Sequence, residues 1–277
     1  KALDAYPDRT WDTGICESHA MDMMAGMAKT GLKPFFAVYS TFLQRAFDQA
    51  FQEVSLQGLP VRLCLDRAGL VGGDGAVHHG FCDVSILSVF PDAALMAAMD
   101  EPSLNAAMEF MRTYDTGLSA VRYPRDDVDT RFVEQTCPAF EIGHARALRV
   151  HDNPDIAILG FGVMTLTAMD AVDQIGSEAI INVYDGRFAK PVDRDLIRDL
   201  LEREIPIITI EDHGLPGGFG SQVIEACNRQ GLDASMITRL GMPERWILQG
   251  SRDEQLAEIG IDSLGIQRAV RHAVDRS

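Results

Sequence analysis

The chain has 277 residues, of which 46% are hydrophobic and 24% charged, and its formal net charge is −16. This composition is typical of a globular protein, and the length allows one large domain or two ordinary ones. The acidic balance argues against binding to nucleic acid or to an anionic membrane, because no cluster of Lys and Arg offsets it. No apolar run approaches the ~20 residues of a membrane-spanning helix.

The five cysteines are odd in number, widely spaced along the chain and include no C-x-x-C pair. This pattern argues against both a disulfide framework and a zinc site, and it favours reduced thiols. We therefore expect a cytoplasmic protein with unpaired cysteines.

The first half of the chain alternates short apolar runs with segments of helical period. The apolar runs predict strands at 34–39, 61–65 and 119–123, and the helical spacing predicts helices at 19–29, 42–56 and 103–114. Such alternation indicates a parallel sheet covered by helices. A doubly wound sheet normally has a further strand and helix before the first of these helices, so we expect residues 1–124 to form a domain truncated at its start.

The second half of the chain begins after a charged stretch without period at 125–138, which predicts an interdomain linker. The pattern then restarts, with strands predicted at 156–160, 179–183, 205–211 and 235–240 and helices at 163–175, 193–202 and 219–229. Residues 139–277 are therefore predicted to form a second, smaller domain. The predicted fold class is α/β, with two three-layer αβα domains whose sheets are mainly parallel.

Four loops concentrate polar and ionisable residues, and the first two flank predicted helices. Glu17 precedes a helix rich in Ala, Met and Gly, where an acid either serves a site or simply complements the helix macrodipole. In the second loop, Ser40 or Thr41 can cap the helix that follows, and Arg45 lies on the polar face of that helix. A solvated face with a weak ion pair explains Arg45 without any function.

The third loop, at 66–80, follows a predicted strand and has the sequence DRAGLVGGDGAVHHG. Open α/β sheets bind ligands at the carboxyl ends of their strands, where this loop lies. Its glycines free the backbone to approach a ligand, and Arg67, Asp74, His78 and His79 supply ionisable groups. A flexible surface loop is the alternative, but this density of glycine and titratable side chains favours a functional site.

The fourth loop is Arg122-Tyr123-Pro124-Arg125, at the end of the last predicted strand of the first domain. Arginine presents a planar fork that binds phosphate or carboxylate through two hydrogen bonds. A structural arginine at a domain boundary explains Arg122 equally well.

Together these loops resemble the pyrimidine-binding and C-terminal domains of 1-deoxy-D-xylulose-5-phosphate synthase, a transketolase-like family. The resemblance runs from about Tyr6 to the C-terminus and rests on GICESHA, YSTFLQRAFDQ, DRAGLVGGDGAVHHG and SAVRYPR, in that order. GRFAKPVD and GGFGS in the second half also look like the family. The second motif, with the DRAG loop after it, separates the resemblance from ordinary transketolases and from pyruvate dehydrogenase β subunits.

The resemblance implies a cofactor, thiamine diphosphate, and residues that bind it. Glu17 would hydrogen-bond the pyrimidine ring nitrogen and so promote loss of the thiazolium proton. This role needs a carboxyl that can hold a proton, which an apolar site promotes. Phe42 would stack on the pyrimidine ring, with Tyr39 and Arg45 alongside.

The resemblance also implies a reaction and its substrate-binding residues. His78 would lie near the reacting carbonyl for proton transfer or hydrogen bonding, and Asp74 near the substrate hydroxyls. Arg67 and Arg122 would hold the phosphate of glyceraldehyde 3-phosphate, with weaker support for Arg125. The reaction would be decarboxylation of pyruvate on the cofactor and addition of the product to the aldehyde, which feeds isoprenoid, thiamine and pyridoxal synthesis.

The diphosphate and Mg²⁺ site of the family belongs to an N-terminal domain, so the chain is expected to carry half a cofactor site, no metal ligands, and no activity alone. The expected partners are that domain and a second copy in a homodimer. The alternatives are a β subunit of the 2-oxo acid dehydrogenase type and a non-catalytic interaction module.

Two stretches depart from the family pattern. Relatives typically have Thr-His-Gln-Gly where this chain has VHHG at 77–80, so His79 is an extra imidazole, most simply a surface histidine. Cys16 and Ser18 stand where relatives usually have Ala and Gln. These changes bear on fine specificity more than on the class of reaction.

Overall fold

The structure, a computed structural model, describes residues 2–275. Two mainly parallel five-stranded sheets with flanking helices confirm the predicted α/β class. The strands are β1 (Phe35–Tyr39), β2 (Arg62–Asp66), β3 (Ala94–Ala97), β4 (Ser119–Arg122), β5 (Arg146–Arg149), β6 (Ile156–Phe161), β7 (Ile181–Asp185), β8 (Phe188–Lys190), β9 (Ile207–Gly214) and β10 (Ile237–Met242). The α-helices are α1 (Ala2–Ala5), α2 (Glu17–Lys29), α3 (Phe47–Gln49), α4 (Asp83–Leu87), α5 (Glu101–Thr113), α6 (Met164–Ile175), α7 (Arg194–Glu202), α8 (Phe219–Gln230), α9 (Arg252–Ile259) and α10 (Ser263–Val274).

The first sheet has the strand order β1-β2-β4-β3-β8, and its first four strands are parallel. Strands β3 and β4 are buried along their whole length, as expected for parallel strands covered on both faces. Strand β8 comes from the second half of the chain and pairs antiparallel with β3, with Met96 opposite Phe188. The two halves of the chain therefore share a sheet.

The second sheet has the order β10-β9-β6-β7-β5, parallel except for β5 at its edge. One of its faces packs against α6 and α10, through a cluster that includes Ile158, Ile208 and Ile266. The other face contributes Leu159 and Ile207 to a core that also contains residues of the first sheet, such as Leu63. The apolar core is thus continuous between the two halves.

Several predicted elements differ from the observed ones in extent or type. The helix predicted at 19–29 is α2, which begins at Glu17, two residues earlier, and most strand ends shift by one or two residues. The segment predicted as one helix at 42–56 is a 3₁₀ turn at Ser40–Ala46, a short α3 and a π-helical turn at Ala50–Ser55. Residues 123–145 contain no helix or strand.

Candidate functional site

The site is built at one edge of the first sheet, where three adjacent strands end. Tyr39 at the end of β1 lies opposite Asp66 at the end of β2, and Leu65 lies opposite Arg122 at the end of β4. The carboxyl ends of parallel strands meet at one edge, which is where open α/β sheets bind ligands. The loop after β1, the glycine-rich loop after β2 and the loop at 122–125, at the end of β4, therefore come together.

Glu17 is the first residue of α2, where its charge complements the helix macrodipole. Arg45 Nη1 also donates to Glu17 Oε1 at 3.0 Å, and Ser18 Oγ donates to the Arg45 carbonyl at 2.6 Å. The Glu17 side chain is 11% exposed and that of Arg45 is 50% exposed. Glu17 Oε2 has no hydrogen-bond partner in the part of the chain that the structure describes. One carboxylate oxygen is thus anchored and the other is open.

An aromatic surface adjoins this carboxylate. The rings of Tyr39 and Phe42 stack at 5.8 Å with an interplanar angle of 17°. The Arg45 guanidinium lies 4.7 Å from the centre of the Phe42 ring, and the His78 ring meets Phe42 edge-on at 5.6 Å. Phe42 therefore links the Glu17 side of the site to the glycine-rich loop.

The glycine-rich loop brings two arginines to one carboxylate. Arg67 has a left-handed φ of 57°, an uncommon conformation for a non-glycine residue. Its Nε lies 3.6 Å from Asp74 Oδ2, and Arg125 Nε lies 3.3 Å from the same oxygen. His78 Nδ1 is hydrogen-bonded to the Asp74 carbonyl at 3.0 Å. Arg125, which the sequence supported only weakly, is half exposed at this surface.

The structure places Arg122 inside the protein, away from this surface. It is 5% exposed, and its Nε donates to Asp83 Oδ2 at 2.9 Å. Its Nη2 donates to the carbonyls of Gly80 at 3.1 Å and Asp212 at 2.9 Å. The expectation that Arg122 holds a substrate phosphate does not match this burial, since these donors already serve protein acceptors.

Two interpretations of the third loop need correction. Gly69, Gly72 and Gly80 were expected to free the backbone for a ligand, but each lies against protein atoms, where a Cβ would come within 3.2 Å of them. His79, expected at the surface, is 3% exposed. The Val71 N–H donates to His79 Nδ1 at 3.2 Å, and His79 Nε2 is hydrogen-bonded to the Ile247 carbonyl at 3.1 Å. Burial lowers the pKa of this imidazole.

Residues of the second half that contact this loop were not predicted. Asp212 Oδ1 accepts a hydrogen bond from the Leu70 N–H at 3.0 Å, and Gln255 Oε1 accepts one from the Gly72 N–H at 3.0 Å. Arg252 pairs with Asp212. No local pattern marks Asp212 and Gln255, because their partners in the loop lie more than 140 positions earlier in the sequence.

Within residues 2–275 no group of three or more His, Cys, Asp or Glu side chains is placed to hold a metal ion. All five cysteines are free, and burial raises the pKa of the Cys64 and Cys82 thiols to about 11. No helix in the described part of the chain has the length and apolar character to cross a membrane.

Two family models match this chain. Residues 1–130 match the pyrimidine-binding domain of transketolase, and residues 145–266 match its C-terminal domain. Among curated proteins, the chain is 41% identical over 267 residues to 1-deoxy-D-xylulose-5-phosphate synthase 1 of Geobacter metallireducens, covering 96% of the chain and 42% of that protein. It is 40% identical over 272 residues to the corresponding synthase of a Geobacillus species, covering 98% of the chain and 43% of that protein. The chain thus spans about two fifths of these relatives.

Solved structures share the fold at lower identity. A split-gene transketolase, described as an inactive β4 tetramer, superposes with a TM-score of 0.85 at 24% identity, covering 99% of this chain and 87% of that one. Transketolase from Leishmania mexicana superposes with a TM-score of 0.74 at 17% identity, covering 94% of this chain and 37% of that one. At these identities the likeness concerns the fold alone.

Proposed function

Because this chain belongs to the transketolase family, we propose that it supplies the pyrimidine-binding half of a thiamine-diphosphate enzyme. The reaction is the condensation of pyruvate with glyceraldehyde 3-phosphate, with release of CO₂, to give 1-deoxy-D-xylulose 5-phosphate. One observation carries the proposal: an open carboxylate oxygen, an aromatic face, an imidazole and two arginines share one edge of a parallel sheet. The diphosphate and Mg²⁺ ligands are assigned to a separate N-terminal domain.

The residues present fit the pyrimidine end of the cofactor. A flat heterocycle can stack on Phe42, which already stacks with Tyr39. Glu17 Oε2 can then hold a proton against a ring nitrogen, while Arg45 fixes Oε1. When bound, thiamine diphosphate supplies the carbon nucleophile for the reaction. Glu17, Tyr39, Phe42 and Arg45 are therefore proposed as its binding residues in this chain.

The substrate end is proposed to lie between the glycine-rich loop and Arg125. Arg67 pairs with Asp66 at 2.6 Å, and both Arg67 and Arg125 approach Asp74 Oδ2. The side chain of Arg125 is 50% exposed and that of Arg67 is 23% exposed, so both are proposed, unlike the buried Arg122, to reach the phosphate of the aldehyde substrate. With Nδ1 of His78 bonded to the Asp74 carbonyl, Nε2 is the ring nitrogen for proton exchange at the substrate oxygen. Arg122 is proposed to position the loop through its bond to the Gly80 carbonyl rather than to touch the phosphate.

The experiment combines this chain with the N-terminal domain of the Geobacter metallireducens synthase, thiamine diphosphate and Mg²⁺, and measures product and CO₂ from the two substrates. Glu17→Gln should lower kcat by about 10²- to 10⁴-fold, the usual range for loss of a proton-transfer group. Glu101→Gln is the matched control, because Glu101 also lies in the first turn of a helix but belongs to α5. It should leave kcat unchanged.

Each outcome separates the candidate functions. Equal kcat for both variants would mean that Glu17 only complements its helix. Decarboxylation of pyruvate without use of the aldehyde would favour a β subunit of the 2-oxo acid dehydrogenase type. A stable complex without any turnover would favour an interaction module.

The proposal includes a homodimer in the cytoplasm, and sedimentation of the assembled protein tests the dimer.

A further inference from the structure

The second half of the chain holds the glycine-rich loop at residues 70–73 and again at His79. At its neck, Gly69 and Gly80 exchange two backbone hydrogen bonds of 2.8 Å. Beyond the neck, the Leu70 N–H donates to Asp212 Oδ1, and the Leu70 carbonyl accepts from Arg252 Nη1 at 2.7 Å.

The remaining contacts follow at short intervals along the loop. Gln255 bonds both the N–H and the carbonyl of Gly72, at 3.0 and 3.3 Å. Gln249 Nε2 donates to the Gly73 carbonyl at 2.9 Å. Outside the neck, the loop backbone thus makes bonds to distant side chains at three positions, Leu70, Gly72 and Gly73.

The second half of the chain packs too closely against Gly69 for a side chain there, and it packs tightly against Gly72. A Cβ on Gly69 would lie 2.1 Å from Asp212 Oδ2, and one on Gly72 would lie 3.2 Å from the Arg252 backbone nitrogen. Both glycines have positive φ, 83° and 62°. Glycine at these two positions is therefore explained by contact with the second half of the chain, and no ligand is needed to explain it.

Asp212, Arg252 and Gln255 together form a clamp on the loop. Their polar groups are largely buried and depend on one another. Asp212 is 2% exposed and Gln255 is 1% exposed. Arg252 Nη1 lies 2.5 Å from Asp212 Oδ2, and its Nε lies 2.9 Å from Asp126 Oδ2. Buried charges are costly unless paired and hydrogen-bonded, so removing one member leaves the others without partners.

His79 joins the same arrangement from inside the loop. Because its Nδ1 accepts from the Val71 N–H, the neutral ring carries its proton on Nε2, which donates to the Ile247 carbonyl. The extra imidazole of the VHHG sequence is thus a bridge between the two halves. Its neighbour His78 carries the chemistry of the proposed site.

We infer that the second half of the chain positions the substrate loop: Asp212, Arg252 and Gln255, together with His79 of the loop itself, fix residues 69–80 so that Asp74 and His78 face the site. None of the four is assigned to touch substrate or cofactor. The inference rests on the proposed function for its catalytic meaning, but the positioning itself can be measured without turnover.

Hydrogen exchange of the chain, followed by mass spectrometry, tests the positioning. Asp212→Asn keeps the shape but sets an amide N–H₂ or a neutral oxygen against Arg252, so exchange in 69–80 should accelerate about tenfold or more. Amides of α6 should keep their wild-type rates. Asp126→Asn is the matched control, because it removes the other, half-exposed carboxylate of Arg252 without touching the loop, and it should leave the loop unchanged.

Arg252→Lys keeps the fold testable if Asp212→Asn unfolds the chain, because it preserves the charge and loses only the forked geometry. It should accelerate exchange at 69–80 by several-fold. The inference would be overturned if the loop of Arg252→Lys exchanged at the wild-type rate. It would also be overturned if a folded Asp212→Asn chain showed equal acceleration in the loop and in α6.

Steady-state kinetics of the assembled enzyme separate this inference from the proposed function. A misplaced loop should raise KM for glyceraldehyde 3-phosphate about tenfold in Asp212→Asn and leave KM for thiamine diphosphate unchanged. A parallel rise in both KM values would indicate a general structural defect and would count against positioning. If the wild-type assembly makes no product, the proposed function fails, while the exchange measurement still decides whether the loop is clamped.

Discussion

Substitution of Gly69 by alanine tests the close contact between the loop and Asp212. The new Cβ would lie 2.1 Å from Asp212 Oδ2 and 2.2 Å from its Cγ, and the site has a φ of 83°. A left-handed alanine costs about 1–2 kcal/mol. The carboxylate must also move, and loss of its bond with the Leu70 N–H costs about 1.5–3 kcal/mol. The free energy of unfolding should therefore fall by about 2.5–5 kcal/mol.

Urea unfolding followed by circular dichroism measures this difference. Gly73→Ala is the control within the same loop, because a Cβ there meets nothing within 4 Å and the backbone φ is not positive. It should change the free energy of unfolding by less than about 0.5 kcal/mol. A Gly69→Ala variant within about 1 kcal/mol of wild type would refute the reasoning, since it would mean that Asp212 can move without losing its bonds.

Two further predictions concern a surface arginine and a buried histidine. Arg125→Ala should raise KM for glyceraldehyde 3-phosphate about tenfold in the assembled enzyme. It should leave the urea midpoint unchanged, because Arg125 is half exposed. An unchanged KM would mean that Arg125 does not bind the phosphate. Burial lowers the pKa of His213 to about 4, so the unfolded chain binds its proton more readily and stability should decline as pH falls from about 6.5 to about 4. Urea unfolding of His213→Leu across this range should show a shallower decline, and an equal slope in both proteins would contradict the assignment.

Strands that are both buried and at least five residues long were predictable from the sequence. Strand β6 is wholly buried and appears in the sequence as a continuous apolar run, and β2 is recognisable from the apolar residues Leu63, Cys64 and Leu65. Strand β8 has three residues and β5 lies at an edge with partial exposure, and neither leaves a periodic signal. Their pairing depends on partners far along the chain, which local patterns do not reveal.

The site was predictable in its members more than in its geometry. The motifs point to Glu17, Phe42 and His78, which the structure brings to one edge of the sheet. Residue type alone could not decide between Arg122 and Arg125, because both lie at the carboxyl end of the same strand, Arg122 as its last residue and Arg125 three positions later. Only the acceptors around Arg122, from Asp83 to the Asp212 carbonyl, show that its charge is used inside the protein.

The same buried charges explain why two α/β units can hold one loop in one conformation. The apolar core is continuous between the sheets, but apolar contact is non-directional and tolerates small shifts. Arg122 at the end of β4 bonds the Asp212 carbonyl, and the Asp212 carboxylate bonds the Leu70 N–H and Arg252. The bonds of Asp212 to Arg122 and to the Leu70 N–H fail if the sheets slide by a residue, so they select one relative position. Residues 1–130 contain every side chain assigned to the site, yet much of the arrangement of its loop is set from outside them.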